Sequence, residues 1–326
     1  MKLASFFHQG RECIGIDGGE DTLIDLALAL PAETAAPKTM LELITQGEEG
    51  LKLVAHAAKT KNRAARIPCS QVVWRPPIPK PGKICAVALN NSGSNDRKIS
   101  APDHPAFFIK PSSCLVGHLQ PLQMRSYYGS MHPEPELAVI IGKRVRDLDA
   151  PQVPPYIYGY SIFNDITGNA MRGEDLFHYW ALYADEQDPD KLVRREQHLS
   201  YAGRYKGSDC FGVLGPWLVT PDEVTNADDL EVSCSVAGEL VALDSTRYYN
   251  YKVAEIISYI SQFHTLNPGD VVSCGTAFRP SPGRRSIHHA NLLKVGGPVE
   301  ITIENLGSQY NPVIVEERKI GRWRLS

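Results

Sequence analysis

Short apolar runs separated by turn residues recur along most of the chain, a pattern that favours β-strands. A few segments instead repeat apolar positions at helical spacing, as at 252–263, where Val253, Ile256 and Ile260 share one side. Strands are predicted at residues 1–7, 12–17, 22–26, 84–89, 137–141, 156–165, 271–274 and 299–303, a hairpin at 230–243, and helices at 39–44, 49–66 and 252–263. The segment 166–205 fits neither pattern and is highly charged.

A proline-rich segment at 74–83 interrupts the pattern and is typical of the joints that separate domains. Residues 1–75 are therefore predicted to form a small N-terminal domain with strands and helices. Residues 76–326 are predicted to form a larger second domain. No constellation in the first domain carries chemistry, so function is expected to lie in the second.

Two carboxylates stand two residues apart at Glu134 and Glu136, directly before the apolar run 137–141. In a strand they would project from the same face. Pro135 between them cannot donate a ladder hydrogen bond, which places the pair at the beginning or edge of a strand. Like charges side by side repel unless a cation lies between them or one is protonated, and a hard divalent ion suits carboxylate oxygens. The alternative interpretation is a solvated strand end with two exposed acids.

Asp165 is a candidate third ligand because it closes the apolar strand predicted at 156–165. Asn164 and Asp165 could equally be turn residues.

Composition and charge narrow the classes of function. The formal net charge is -3 and the sequence pI is about 6.4, which gives no reason to expect nucleic acid or an anionic membrane surface as a partner. No run of eighteen apolar residues and no secretory signal is visible. The seven cysteines are odd in number and mostly apolar in setting, which predicts reduced thiols in a cytoplasmic protein.

Several segments together resemble the fumarylacetoacetate hydrolase family, in the family's order. They are PGKI at 81–84, FIKPSS at 108–113, EPELAVIIG at 134–142, GYSIFND at 159–165, GPWLVT at 215–220, LNPGD at 266–270 and Gly-Thr at 275–276. The likeness covers about residues 76 to 305. It implies a mainly β (α+β) protein whose C-terminal domain is a mixed β-roll or sandwich with few helices, usually dimeric.

The resemblance also implies the chemistry. It assigns a Mg²⁺, Mn²⁺ or Ca²⁺ ion to Glu134, Glu136 and Asp165, where the metal acts as a Lewis acid on a small 2-oxo or 1,3-dicarbonyl acid. Lys206 matches the family lysine that steadies the enolate, although a surface lysine is the alternative. Thr276 matches the threonine that contacts the substrate carboxylate, although a structural turn residue is the alternative.

The chain departs from the family pattern in three places. The loop 90–96 holds no histidine to activate water, so a general base must come from elsewhere. Asn169 and Arg172 stand where members commonly have arginine and glutamine, and Arg172 could still bind a substrate carboxylate. The segment between Asp165 and Lys206 is longer than in typical members and could form a lid.

This longer segment offers replacement acids and bases. Glu174 and His178 are predicted to act in catalysis, since four residues apart on a helix they would share a face. A solvated helix with incidental acids is the alternative. His198, His104, His132 and the pair at 288–289 are further candidates. Lys110, in the segment that matches the family at 108–113, is predicted to contact the substrate.

Three functions are compatible with these residues, and the breadth of the family favours the first, with the second as the alternative. The first is a metal-dependent hydrolase that cleaves a C–C bond in an acylpyruvate-like or ring-cleavage product. The second is a lyase or isomerase that uses the same enolate chemistry without a water nucleophile, by decarboxylation, hydration, dehydration or keto–enol tautomerisation. The third is a metal-binding relative without catalysis, which the presence of Lys206 and Thr276 makes least favoured.

Overall fold

The computed structural model describes residues 1–92, 95, 101–276 and 290–318. The strands are β1 (Lys2–His8), β2 (Arg11–Asp17), β3 (Thr22–Asp25), β4 (Arg66–Pro68), β5 (Val73–Arg75), β6 (Ile84–Ala88), β7 (Ala106–Lys110), β8 (Leu115–Val116), β9 (Leu122–Arg125), β10 (Met131–His132), β11 (Pro135–Ile141), β12 (Ile157–Asp165), β13 (Thr167–Gly168), β14 (Leu176–Ala184), β15 (Leu192–Ser200), β16 (Gly212–Leu214), β17 (Leu218–Val219), β18 (Glu231–Val236), β19 (Glu239–Ser245), β20 (Val271–Thr276), β21 (Val299–Ile303), β22 (Gly307–Asn311) and β23 (Val313–Glu316). The helices are α1 (Leu26–Ala29), α2 (Met40–Thr45), α3 (Glu48–Ala57), α4 (Asn169–Glu174), α5 (Gly203–Gly207), α6 (Val253–Phe263) and α7 (Leu292–Val295).

One large mixed sheet organises the chain, in the order β4-β3-β2-β1-β17-β12-β11-β20-β6-β7. Most neighbours are antiparallel, whereas β20 and β6 run parallel. A separate four-stranded sheet has the order β19-β18-β21-β22. The prediction of a mainly β protein with a mixed sheet and few helices is confirmed.

The central strand β11 is buried on both faces, which explains its continuous apolar run. Leu137, Val139 and Ile141 pack in one apolar cluster together with α6 and the four-stranded sheet. Ala138 and Ile140 point the other way, into a second cluster that contains residues of α2 and α3. The start of β11 is therefore held between two packed layers.

The N-terminal strands extend the same sheet. Leu3 of β1 pairs with Leu218 of β17, and Tyr160 of β12 pairs with Val219. Leu3 also shares the second apolar cluster with Ile140. The domain boundary predicted at residue 75 falls at the end of β5, and it stays a prediction, with strands from both sides hydrogen-bonded into one sheet.

Two predicted helices differ from the structure. The helix predicted at 49–66 ends at Ala57, and Arg66 begins β4. The side chain of Asn62 accepts a hydrogen bond from the Ala64 N–H, and Thr60 accepts one from the Asn62 N–H, so local polar bonds replace the helical ladder.

The helix proposed to carry Glu174 and His178 is wrong. Glu174 ends α4, and His178 lies on β14. Residues 176–184 are rich in aromatic side chains, and Asp-Pro-Asp follows at 188–190, a composition that favours a hairpin and could have indicated one.

The thiols fit the prediction of reduced cysteines. All seven are free, and Cys13, Cys85, Cys114, Cys234 and Cys274 are buried. Burial raises the pKa of Cys85 to about 12, which removes its thiolate at neutral pH. Separately, none of the helices in the described part of the chain combines the length and hydropathy that a membrane span needs.

A buried ion pair closes the parallel pair β6–β20. Asp270, 1% exposed, accepts hydrogen bonds from the Lys83 N–H at 2.9 Å, from Lys83 Nζ at 2.5 Å and from the Asn267 N–H at 2.8 Å. A Cβ at Gly82 would lie 2.6 Å from Asp270 Oδ1, so only glycine allows this approach. The Asp270 carboxylate thus ties the turn before β20 to the start of β6.

We expect Asp270→Ala to lower the free energy of unfolding by about 3 kcal/mol, since it leaves the Lys83 and Asn267 N–H groups without their acceptor and Lys83 Nζ with only the Thr265 carbonyl. Urea denaturation followed by circular dichroism measures this. Glu49→Ala is the control, because water screens the exposed ion pair of Glu49 with Lys52 and its loss should change stability little. Equal losses in the two variants would contradict the anchoring role of Asp270.

Candidate metal and substrate site

Three carboxylates meet where β11 begins and β12 ends. The antiparallel register pairs Pro135 with Asn164, which brings Glu134 and Glu136 next to Asp165. One oxygen of each carboxylate lies within 4.8 Å of the others. Glu136 and Asp165 are each 1% exposed, and the Glu134 side chain is 15% exposed. The structure therefore brings the three predicted metal ligands together and excludes a solvated strand end.

Two lysines balance part of this negative charge. Lys206 Nζ, on α5, donates to Glu134 Oε2 and to Asp165 Oδ2, each at 2.6 Å. Lys110 Nζ, at the end of β7, donates to Asp165 Oδ1 at 2.5 Å and to the Phe211 carbonyl at 3.1 Å. Lys206 Nζ also lies 5.4 Å from the ring centroid of Phe108, which favours its position by a cation–π contact.

The carboxylates titrate unequally. Burial raises the pKa of Glu136, and the charges of Asp165 and Glu134 raise it further. Burial also opposes ionisation of Glu134, but Lys206 and His132 outweigh it and hold the Glu134 pKa well below its usual range. Burial lowers the pKa of Lys206, yet the nearby Asp165 and Glu134 charges raise it above its ordinary value.

This donor set fits a hard divalent cation. The site holds one more acidic than basic side chain among its three carboxylates and two lysines. A divalent ion would offset the repulsion that disfavours the charged form of Glu136. Each carboxylate oxygen has more than one lone pair, so an oxygen that accepts from lysine can still bind a metal.

Four further polar residues hold the carboxylates in place, and one of them, His132, is among the histidines that the sequence offered as candidate acids or bases. His132 Nε2 lies 3.1 Å from Glu134 Oε1, and the Asn169 amide donates to His132 Nδ1 at 2.9 Å. Asn164 Oδ1 accepts from the Glu134 N–H at 3.1 Å. Ser273 Oγ donates to Glu136 Oε2.

The hydrogen bonds around His132 define its tautomer. Because the Asn169 amide donates to Nδ1, the proton of a neutral His132 resides on Nε2 and faces Glu134. A histidine that orients a ligand in this way raises metal affinity without binding the metal itself. His132 was one of several histidines in the sequence without a distinguishing signal.

Thr276, one of the predicted substrate contacts, lies beside the carboxylates. It pairs with Glu136 in the register of β20 and β11, and its Oγ1 donates to the Pro135 carbonyl at 3.4 Å. Lys110 is buried against Asp165 and the Phe211 carbonyl. Arg172 is exposed on α4. Their contacts with substrate stay predictions.

The predicted catalytic residues of the longer segment have other neighbours. Glu174 Oε2 accepts a hydrogen bond from Arg204 at 2.8 Å. The His178 side chain is 54% exposed, and it hydrogen-bonds to Glu196 across the hairpin. Catalytic roles for Glu174 and His178 stay predictions. The pair at 288–289 and most of the loop 93–100 lie outside the described residues.

Comparison with known proteins identifies the family of the chain. A family model described as fumarylacetoacetate (FAA) hydrolase C-terminal matches residues 83–314, so the chain belongs to the fumarylacetoacetate hydrolase family. This confirms the resemblance drawn from the sequence segments.

Particular relatives are enzymes of more than one kind. The chain is 30% identical over 313 residues to the mitochondrial oxaloacetate tautomerase Fahd2a of Rattus norvegicus, with 94% of this chain and 87% of the relative covered. It is 28% identical to 2,4-didehydro-3-deoxy-L-rhamnonate hydrolase of a Sphingomonas species, with 99% and 97% covered.

Two solved structures are similar over nearly the whole chain. Maleylpyruvate hydrolase from Sphingobium, in complex with manganese(II) ion and pyruvate, has a TM-score of 0.68 and 26% identity, with 97% of this chain and 99% of that chain covered. Fumarylacetoacetate hydrolase from Exiguobacterium antarcticum has a TM-score of 0.71 and 25% identity, with 97% and 100% covered.

We expect Glu136→Gln and Asp165→Asn each to weaken Mn²⁺ binding by more than about a hundredfold, because only two charged ligands would remain and loss of a group that merely orients a ligand already costs about tenfold to a hundredfold. Isothermal titration calorimetry with Mn²⁺ measures the change. Glu48→Gln, on the exposed first turn of α3, is the control. Unchanged Mn²⁺ affinity in either site variant would remove that residue from the ligand set.

Proposed function

We propose that the chain is a divalent-metal-dependent enzyme that interconverts the keto and enol forms of a small 2-oxo dicarboxylic acid such as oxaloacetate. The observation that carries this proposal is the buried set of Glu134, Glu136 and Asp165 with Lys206 Nζ against it. A divalent ion held by these carboxylates would supply Lewis-acid stabilisation of the negative charge on an enolate oxygen.

Lys206 is the proposed proton donor and second source of positive charge. A lysine amine is ordinarily protonated at neutral pH, and the Glu134 and Asp165 carboxylates beside Nζ favour its charged form. In the enol-to-keto direction, Nζ gives a proton to the carbon next to the carbonyl, and the enol oxygen returns its proton to Nζ. The number of protons on the enzyme is therefore unchanged after each turnover. Thr276 Oγ1 is the proposed donor to a substrate carboxylate.

The placement of the histidines supports tautomerisation over hydrolysis. Hydrolysis needs a base that removes a proton from water, whereas tautomerisation has no water nucleophile. Among the eight histidines in the described ranges, only His132 hydrogen-bonds to a site carboxylate, and its Nε2 faces Glu134. His104 stacks on Tyr259 at 5.0 Å between ring centroids.

Hydrolysis of a C–C bond is the second candidate. Three of the proteins named above are hydrolases, and one of them is described in complex with manganese(II) ion and pyruvate, the kind of product that cleavage of an acylpyruvate releases. In that reaction Glu174 and His178 stay the proposed replacements for the missing loop base.

One assay separates these reactions. The enol form of oxaloacetate is mixed with the enzyme and Mn²⁺ or Mg²⁺ in dilute buffer, and enol absorbance and CO₂ release are followed separately. Tautomerisation accelerates the loss of enol absorbance without CO₂. CO₂ release without a second organic acid would favour a decarboxylase. A parallel incubation with acylpyruvates tests for hydrolysis, which would yield two acid products.

We expect Lys206→Met to lower kcat by about a hundredfold to a thousandfold, the usual cost of removing one charge-stabilising donor. Turnover of the same substrate measures it, with near-UV circular dichroism as the check on folding. Lys52→Met, which removes an exposed lysine of α3, is the matched control. Normal turnover of Lys206→Met would end the proposed role of this lysine.

The remaining proposals concern the cellular location and the oligomeric state of the protein. A homodimer and a cytoplasmic location stay proposals, and the rat relative carries a mitochondrial name. The oligomeric state follows directly from light scattering of the purified chain.

A further inference from the structure

A second group of ligand-type side chains lies on the hairpin β14–β15, outside the carboxylate site. His178 on β14 is directly opposite His198 on β15. Glu196 stands two residues before His198 and therefore projects from the same face. One ligand atom of each residue lies within 4.8 Å of the others.

The donor atoms of this group converge on one point. His178 Nε2 hydrogen-bonds to Glu196 Oε1, and His198 Nε2 lies 3.4 Å from the same oxygen. The two imidazole rings stack with centroids 4.1 Å apart and an interplanar angle of 16°. Both rings thus direct Nε2 towards the same carboxylate oxygen.

The backbone holds these side chains without help from a bound ion. Nine consecutive pairs join the two strands, from Leu176 with Ser200 to Ala184 with Leu192. The side chains are 54% exposed for His178, 59% for His198 and 47% for Glu196, so packing leaves their χ angles free to adjust to an ion.

The chemistry of the donors selects the ion. Two neutral imidazoles and one carboxylate form the ligand set that zinc enzymes use with a fourth position open. Imidazole suits Zn²⁺ and Cu²⁺, whereas Mg²⁺ and Ca²⁺ prefer oxygen ligands alone. The hairpin group is therefore expected to prefer a different metal ion from the carboxylates at 134, 136 and 165.

We propose that His178, His198 and Glu196 form a second metal site that takes a borderline transition-metal ion, Zn²⁺ or Cu²⁺, with one coordination position left for water or an external ligand. Two further side chains lie on the same face of the hairpin as the proposed site. Trp180 lies opposite Glu196 and is 63% exposed, and Arg194 is two residues from Glu196. The site does not depend on the reaction proposed for the carboxylate site.

Titration of the full chain with Zn²⁺ tests the proposal, and excess Mg²⁺ is added to compete for the carboxylate site, whose oxygen ligands suit it. Calorimetry should give one equivalent of Zn²⁺ bound. His178→Ala and His198→Ala should each weaken it by more than about tenfold, since loss of a ligand costs at least as much as loss of a group that orients one. His56→Ala, at an exposed histidine of α3, should bind Zn²⁺ as the unaltered chain does.

Fluorescence gives an independent readout. Cu²⁺ bound beside Trp180 should quench its emission saturably, and Trp180→Phe identifies the portion that belongs to this residue. The His178→Ala, His198→Ala double variant should lose that quenching, with its melting temperature showing that it remains folded. The proposal is overturned if the chain binds no Zn²⁺ in excess Mg²⁺, or if the double variant binds Zn²⁺ as tightly as the unaltered chain.

Discussion

The electrostatic balance around three buried carboxylates is the constraint on which the rest of the site depends. Glu134, Glu136 and Asp165 converge because antiparallel pairing joins the start of β11 to the end of β12. Buried charges of one sign are costly unless they are paired. Lys206 and Lys110 offset part of that cost, and they arrive from two different elements, α5 and β7. The charge balance thus links distant parts of the chain.

The sheet provides the rigidity that such a balance requires. Packing on both faces leaves β11 fully buried, so its first residues have little freedom to move apart when their charges repel. The edge of this sheet is built by the N-terminal strands through β1 and β17, and the other side by the parallel pair β6–β20. Elements far from the three carboxylates therefore determine how closely these side chains approach one another.

Local sequence patterns pointed to the three carboxylates because their positions follow from short-range geometry. Residues two apart on a strand share a face, and an acid at the end of a buried strand has few alternatives to a polar partner. The supporting residues could not be predicted in this way. Ser273 meets Glu136 only because β20 is the neighbour of β11, and Asn169 reaches His132 only because β10 pairs with β13.

The errors have equally specific causes. Apolar spacing alone extended the predicted helix past Ala57, where side-chain hydrogen bonds of Asn62 and Thr60 compete with the helical ladder. The helix predicted between Asp165 and Lys206 rested on charged residues, although aromatic side chains are frequent in residues 176–184. Strand propensity there outweighs the i,i+4 spacing of Glu174 and His178.

The hairpin β14–β15 also shows how the chain can carry extra length between Asp165 and Lys206. Its two ends are adjacent, since Leu176 pairs with Ser200. Arg204 on α5 bonds to Glu174 and Asp175 at the end of α4, and so fastens the elements on either side. Strand pairs could be added to or removed from the tip without changing the separation of these two anchors. The segment is thus a module whose length can evolve independently of the geometry at its base.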